Sequence, residues 1–263
     1  MKWKILIFGL LPLLALSVQA GAQELNAEEI VNKANLAAYY AGNDGRAEVT
    51  MTITDSQGRE RLRRFILLRK NIKAGGEQLF YVYFKKPSDV RKMVFMVHKK
   101  MNRDDDRWLY LPALDLVKRI AAADKRTSFV GSNYLYEDVS GRRVDADTHE
   151  LVATDDAYYV IKNIPKNPGE VEFSSYTVWI DKKTFIPMKT EYLDKNNKKY
   201  RIVEALEVEE IDGHPTVTVS KATDLDSGSS TLSKFTSIKY DIGLKEDIFT
   251  ERYLRRPPRE VRK

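Results

Sequence analysis

Residues 106–138 read DRWLYLPALDLVKRIAAADKRTSFVGSNYLYED. Trp108, Tyr110, Leu111, Pro112 and Leu114 make a dense apolar-aromatic strand that runs into a turn. After a short spacer, Arg126, Ser128, Phe129, Gly131, Tyr134, Tyr136, Glu137 and Asp138 bring rings and charge back together. Two segments just upstream, Leu79–Phe84 (LFYVYF) and Met93–Val97 (MVFMV), have no polar side at all. A sheet with one wet face alternates apolar and polar residues, so these strands predict a sheet covered on both faces. A closed sandwich, a curved sheet with helices across its mouth, or an oligomer interface would each supply that cover.

Working outward, the elements around this block are strands separated by turn chemistry. Val49, Met51 and Ile53 alternate with Glu48, Thr50, Thr52 and Thr54, the pattern of a half-buried strand. Asp55–Gly58 and Ala74–Gly76 read as hairpin turns, and further turn signals fall at 166–169, 195–197, 212–213 and 227–230. Such regular spacing predicts one antiparallel meander from Arg46 to Tyr240. One helix precedes it. Asn26 can cap it and Glu29 can complete a capping box. Ile30, Ala34, Ala37, Ala38 and Ala41 then recur at helical spacing, and Gly42 is a plausible stop. A face built of alanine allows close approach to a sheet.

The N-terminus reads as an export signal over residues 1–22. Lys2 and Lys4 precede an apolar run, and small residues allow cleavage after Ala20 or Ala22. The apolar run falls short of the ~20 residues a spanning helix needs. The mature chain, 23–263, is then expected to be one soluble domain in the periplasm. With Cys 0, disulfides, thiolate metal sites, thiol nucleophiles and lipid attachment at a processed cysteine are all excluded. The formal charge of +6 includes Lys2 and Lys4, which leave with the signal. Export and the lack of any nucleic-acid motif direct this mild basicity toward anionic headgroups or an acidic partner instead. The last segment, Arg252–Lys263 (RYLRRPPREVRK), is basic, and Pro257-Pro258 argues against helix or central strand. It reads as a solvated tail, or else as a contact for a membrane surface or partner.

Enzyme chemistry finds little support. His98, His149 and His214 lack metal-ligand spacing, Gly131-Ser132 lacks the second glycine of a nucleophile elbow, and Asp104–Asp106 lacks the alternation of a calcium loop. The aspartates read as a solvated turn. No metal or cofactor is expected.

The sequence resembles the outer-membrane lipoprotein-sorting family, the relatives of the carrier LolA. The resemblance rests on W-x-Y-x-P at Trp108–Pro112, R-x-S-F-x-G-S at Arg126–Ser132 and Y-E-D at Tyr136–Asp138. A second point is Val178–Lys189, where a strand, an Asp-x-x-Thr turn at Asp181 and a strand begun by Pro187 recur as in such carriers. The chain departs from the family at Val130 and Asn133, where methionine and aspartate are commoner, which puts any shared salt bridge at Asn133 in doubt.

The resemblance implies a mostly β half-barrel. Its strongly curved antiparallel sheet would carry the N-terminal helix and short helices over the concave face. It also implies a lipid or lipid-modified protein as cargo, transient contact with the membrane surface, and an inner-membrane exporter of the resistance-nodulation-division (RND) type as partner. A module that senses lipid or misfolded protein is the alternative of another class. In a carrier, rings and methionines suit acyl chains because their contact is broad and non-directional. The residues expected to line an apolar cavity are Phe80, Tyr81, Tyr83, Phe84, Met93, Phe95, Trp108, Tyr110, Leu111, Phe129 and Tyr134. For the compartment, N-terminal sequencing of the fractionated protein should give Gly21 or Gln23 as first residue; an intact Met1 in the membrane fraction would rule out an exported, processed carrier.

Overall fold

The computed structural model describes residues 24–262; the expected export signal, residues 1–22, lies outside them. Helix α1 (Ala27–Tyr39) starts on the expected capping box. The Asn26 side chain accepts the Glu29 N–H at 3.0 Å, and the Glu29 carboxylate accepts the Asn26 N–H at 2.9 Å. Its alanine-rich face is used twice: Ile30 and Ala34 pack on Ile161 and Ile180 of the sheet, while Ala37 and Ala38 face an open space beyond.

The strands are β1 (Asp44–Thr54), β2 (Glu60–Asn71), β3 (Gln78–Lys86), β4 (Val94–Lys99), β5 (Asp106–Leu111), β6 (Leu116–Arg119), β7 (Asp147–Thr154), β8 (Tyr158–Pro165), β9 (Phe173–Asp181), β10 (Pro187–Asp194), β11 (Lys199–Ile211), β12 (His214–Asp224) and β13 (Ser230–Tyr240). Among the described residues they form one antiparallel sheet in the order β6-β5-β4-β3-β2-β1-β13-β12-β11-β10-β9-β8-β7. Two meanders, β1–β6 and β7–β13, are fused where β1 pairs with β13. The sheet does not close on itself and has the half-barrel form. The turns are where the sequence puts them. Asp181 Oδ1, for instance, accepts the N–H groups of Lys183 at 3.0 Å and Thr184 at 2.7 Å, and Pro187 opens β10.

Because β6 and β7 lie at opposite edges, the chain between them must cross the open side of the sheet. This crossing segment carries the Arg126–Asp138 block and a short helix, α2 (Tyr136–Ser140). It acts as a plug. A turn with Val130 at φ 50 and Gly131 at φ 76 drives the Phe129 ring into a cluster with Phe65, Phe84, Phe95 and Tyr136, at centroid distances of 5.4 to 6.2 Å. Gly141, at φ +75, ends the plug so close to α1 that a Cβ there would lie 2.7 Å from the Tyr39 ring. No larger residue fits.

The two-sided strands are covered by different parts of the chain. Strand alternation sends Phe80, Val82, Phe84, Phe95, Val97 and Leu109 inward to the plug. Tyr81, Val94, Met96 and Trp108 point outward, where the C-terminal segment covers them with Leu244, Ile248, Phe249, Leu254 and Val261. The expectation of a solvated tail is therefore corrected. Pro257-Pro258 does not exclude helix from the segment but separates two single turns, α3 (Arg252–Arg255) and α4 (Arg259–Arg262), each with one fully buried apolar residue. Tyr81 Oη donates to the Tyr253 carbonyl at 2.6 Å, and His98 Nε2 meets the Phe249 carbonyl at 2.7 Å. The acidic turn is also only partly solvated, since Asp105 is buried against Arg107 at 2.6 Å.

If this strap is part of the core, Phe249→Ala should lower unfolding free energy by about 3–5 kcal/mol, as for other buried phenylalanines. Arg252→Ala, exposed on the same segment, should stay within roughly 0.5 kcal/mol of wild type. Urea denaturation measures both, and an unchanged midpoint for Phe249→Ala would refute the role of the strap.

Candidate functional site

Between the inner face and the C-terminal end of α1 lies a cavity of about 400 Å³. Its walls are mostly apolar: Met51, Phe65, Leu67, Phe80, Val82, Phe129, Val139, Val203, Val217, Phe235 and Ile238, with Ala37 and Ala38 from the helix. Tyr134, Ser220, Ser233, Thr190 and Tyr192 add hydroxyl groups. A water-sized group takes about 30 Å³, and a methylene is similar, so the space suits roughly one acyl chain. Strands β1 to β3 and β10 to β13 all contribute, so the cavity exists only because the sheet is curved.

Arg69 on β2 fixes the helix over this space. It donates through Nη1 to the Tyr39 carbonyl at 2.9 Å and to Asn71 Oδ1 at 2.7 Å, and through Nη2 to the Ala41 carbonyl. Gln78 Nε2 also donates to the Tyr39 carbonyl, at 2.7 Å. These groups satisfy carbonyls that a helix C-terminus otherwise leaves unpaired. Lys99 joins α1 to the plug. Its ammonium donates to the Ser140 carbonyl at 2.8 Å and lies 5.4 Å and 5.6 Å from the Tyr39 and Tyr40 ring centres. Burial pushes its pKa down to about 8, against the opposing pull of Asp105.

On its other side the plug is held by charge. Arg126 pairs with Glu137 at 2.7 Å and with Glu172 at 2.6 Å; Arg142 pairs with Asp147 at 2.7 Å, which also accepts the Tyr176 hydroxyl at 2.7 Å. Arg201 pairs with Asp138 and stacks on Tyr192, 5.0 Å away. Breaking one buried pair strands the remaining charge, so these contacts lock the plug rather than merely decorate it. Asn133 needs no ion pair: it donates to Ser229 Oγ at 2.7 Å and accepts from Thr231 Oγ1 at 2.8 Å.

The expected cavity residues divide by strand face. Phe80, Phe129 and Tyr134 stand in the cavity wall. Phe84, Phe95, Met93 and Leu111 are on the inner side but in or against the packed aromatic cluster around the plug, so they fill core. Tyr81, Tyr83, Trp108 and Tyr110 belong to the outer face under the C-terminal strap; Trp108 stacks edge-on to His98 at 4.8 Å. The expectation that Trp108 and Tyr110 reach the cavity is thus corrected, because residues two apart on a strand share a face and this one faces away. Unforeseen wall residues come from β1, β2 and β11 to β13. The alternation of Met51 with its polar neighbours was the available signal, since it marks one inward face. Among the described residues no His, Cys, Asp or Glu group could hold a metal, and no helix is long and apolar enough to cross a membrane.

A curved open sheet with a helix over an unfilled apolar cavity is a LolA-like fold. Residues 76–256 match a family model described only as uncharacterized-protein-like, and the chain belongs to that family. No curated protein matches the chain. Among solved structures, it is similar to a DUF1329 family protein from Desulfovibrio piger, with 27% identity, TM-score 0.79, and coverage of 86% of this chain and 97% of the other. It is also similar to a domain assigned to outer-membrane lipoprotein sorting from Vibrio parahaemolyticus, with 25% identity, TM-score 0.78 and coverage of 88% and 98%. A LolA superfamily protein from Nitrosomonas europaea shares the fold, with 19% identity, TM-score 0.67 and coverage of 88% and 100%.

The depressed Lys99 pKa has a measurable consequence. The folded state holds this proton until about pH 8. The unfolded lysine holds it to roughly pH 10.4, so between these values the unfolded chain binds more protons and stability rises with pH. Buried tyrosines such as Tyr40, raised to about 12, reverse the slope only above roughly pH 10, where unfolded tyrosine ionises. Denaturation midpoints should climb from pH 8 to 10 in wild type and stay flat in Lys99→Met. Parallel profiles would refute the assignment.

Proposed function

We propose that this protein is a periplasmic carrier that takes the acyl part of a lipid or lipoprotein into its inner cavity and carries it toward the outer membrane. The observation that carries this reading is the apolar cavity itself. The sheet packs its aromatic cluster tightly around Phe129, yet beside it leaves about 400 Å³ that no side chain of the described residues fills. Protein interiors do not normally tolerate such a gap unless something occupies it. The similarity to a domain assigned to lipoprotein sorting supports the same reading.

The energetics suit transport. Burying an acyl chain is worth ~0.8 kcal/mol per CH₂ when it comes from water. A carrier instead exchanges the bilayer interior for its own cavity, so the net change stays near zero and release remains possible. Opening requires α1 to move relative to the sheet, and Arg69, Gln78 and Lys99 are the contacts that must break. We propose the single domain 23–263 as the exported unit, and an RND-type exporter in the inner membrane as its source of cargo. The proposal of an exporter rests on the sequence resemblance alone.

Placing a carboxylate in the cavity should oppose acyl binding without unfolding the sheet, whereas placing one in the packed cluster should unfold it. Phe235→Asp, in the wall and half-buried, should therefore melt near wild type but bind a fluorescent fatty-acid probe at least about tenfold more weakly. Phe95→Asp should fail to fold. A folded, delipidated wild-type protein that takes up no acyl probe would sink the carrier reading.

A further inference from the structure

The cavity is not uniformly apolar, and three of its hydroxyl groups lie together. Ser220 on β12 and Ser233 on β13 are directly opposed across the sheet and both face inward. The Tyr134 hydroxyl from the plug meets Ser220 Oγ at 2.7 Å. Ser233 Oγ is buried, with the residue only 1% exposed; it faces the Tyr134 hydroxyl but has no hydrogen-bond partner at normal distance among the described residues. A buried hydroxyl left unpaired costs about 1–3 kcal/mol, so such an atom calls for an explanation. Here it stands in the wall of an empty space, beside a tyrosine and a second serine. Every other wall position nearby on β1 and β13, Met51 and Phe235, is apolar.

The charges around the cavity restrict what this group can meet. Arg46 pairs with Glu48 at 2.9 Å, and Arg69 is committed to the carbonyls at the end of α1 and to Asn71. Of the carboxylates in the wall, Asp138 is neutralised by Arg201, and Glu204 would repel an anion. An ionised head would thus find an acid and no uncommitted cation among the described wall residues. Hydroxyls both donate and accept, which matches an ester carbonyl or an alcohol.

We propose that Ser233, Ser220 and Tyr134 form a hydrogen-bonding floor that holds the uncharged ester or hydroxyl head of a ligand with one acyl chain, the chain lying along the apolar wall. The inference rests on the acyl-carrier reading and adds to it the class of ligand: a neutral single-chain acyl ester, not a fatty-acid anion and not a chain-rich lipid. A space of about 400 Å³ accommodates one such chain.

The test uses the delipidated mature protein and displacement of a fluorescent acyl probe by four competitors: monopalmitoylglycerol, palmitate at pH 8.5, dipalmitoylphosphatidylglycerol, and an uncharged alkyl chain without a polar head. Native mass spectrometry gives the stoichiometry. Monopalmitoylglycerol should bind one to one and at least about tenfold more tightly than palmitate. Each of Ser233→Ala and Tyr134→Phe should weaken it by about fivefold, the size of one hydrogen bond. Binding of the headless chain should not change. Because Ser233 Oγ is unpaired in the empty protein, Ser233→Ala should melt at or above the wild-type temperature, so a loss of binding cannot be laid to misfolding. Tyr134→Phe keeps the ring and provides a second, independent variant. The inference is overturned if the variants bind monopalmitoylglycerol as wild type does, if palmitate binds more tightly, or if the two-chain lipid binds best. If no competitor displaces the probe, or the probe does not bind, the carrier reading falls as well; if the headless chain binds and the head makes no difference, only the floor is refuted.

Discussion

The crossing from β6 to β7 is the constraint on which this architecture depends. With the two edge strands at opposite ends of one open sheet, the connection has to traverse the concave side. A traversing segment brings polar backbone into an apolar space, and it must be anchored at both margins. Phe129 and Tyr136 anchor it to β2, β3 and β4 by ring contacts, while Arg126, Glu137, Asp138 and Arg142 anchor it to β7, β9 and β11. The plug therefore sits nearer one margin and fills that half of the half-barrel. The unfilled half is the cavity. Its existence follows from connectivity as much as from side-chain choice.

The same logic explains why both faces of β3 to β5 are apolar. Inward residues are needed to seat the plug, and outward residues are needed because the chain, having returned through β13 to the middle of the sheet, has only the outer face left to pack on. The C-terminal strap takes that place. Its helices are single turns with little stability of their own, so they persist through the buried Leu254 and Val261 and the hydrogen bonds to Tyr81 and His98. Stability in a chain without disulfides is thus spread over two apolar layers, one inside the curve and one outside.

How far the sequence could be read depended on whether the signal was local. Hairpins and the capping box were legible because Asp55–Gly58, Asn26 and Asp181 carry their geometry within a few residues. Sidedness was not. In LFYVYF every position is apolar, so period-two alternation gives no contrast between Phe80, which lines the cavity, and Tyr81, which lies under the strap. The all-apolar run Trp108-Leu109-Tyr110-Leu111 lacks the same contrast, which hides that Trp108 and Tyr110 face outward. The strap itself was hidden because its two anchors are isolated among arginines and interrupted by prolines. The charged residues of the plug were visible, but Arg201, Asp147 and Glu172 join them only through the sheet, across separations no local pattern encodes. Ser220 and Ser233 had no signal at all until register set them opposite each other.

A cavity beside a locked plug also bears on how release can be controlled. The plug is held by several buried ion pairs, each costly to break singly, while α1 is held over the cavity by carbonyl contacts from Arg69 and Gln78 and by the Lys99 ammonium, itself close to its deprotonation point. Hydrogen bonds from a charged donor to a carbonyl contribute about 1.5–3 kcal/mol each, against about 3–5 for breaking a buried ion pair. The weaker boundary of the cavity is therefore the helix, not the plug. Movement of α1 would expose the apolar wall of β1, β2, β12 and β13 while the aromatic cluster around Phe129 stays packed. In the proposed carrier, this division of labour would let the cavity open without melting the core.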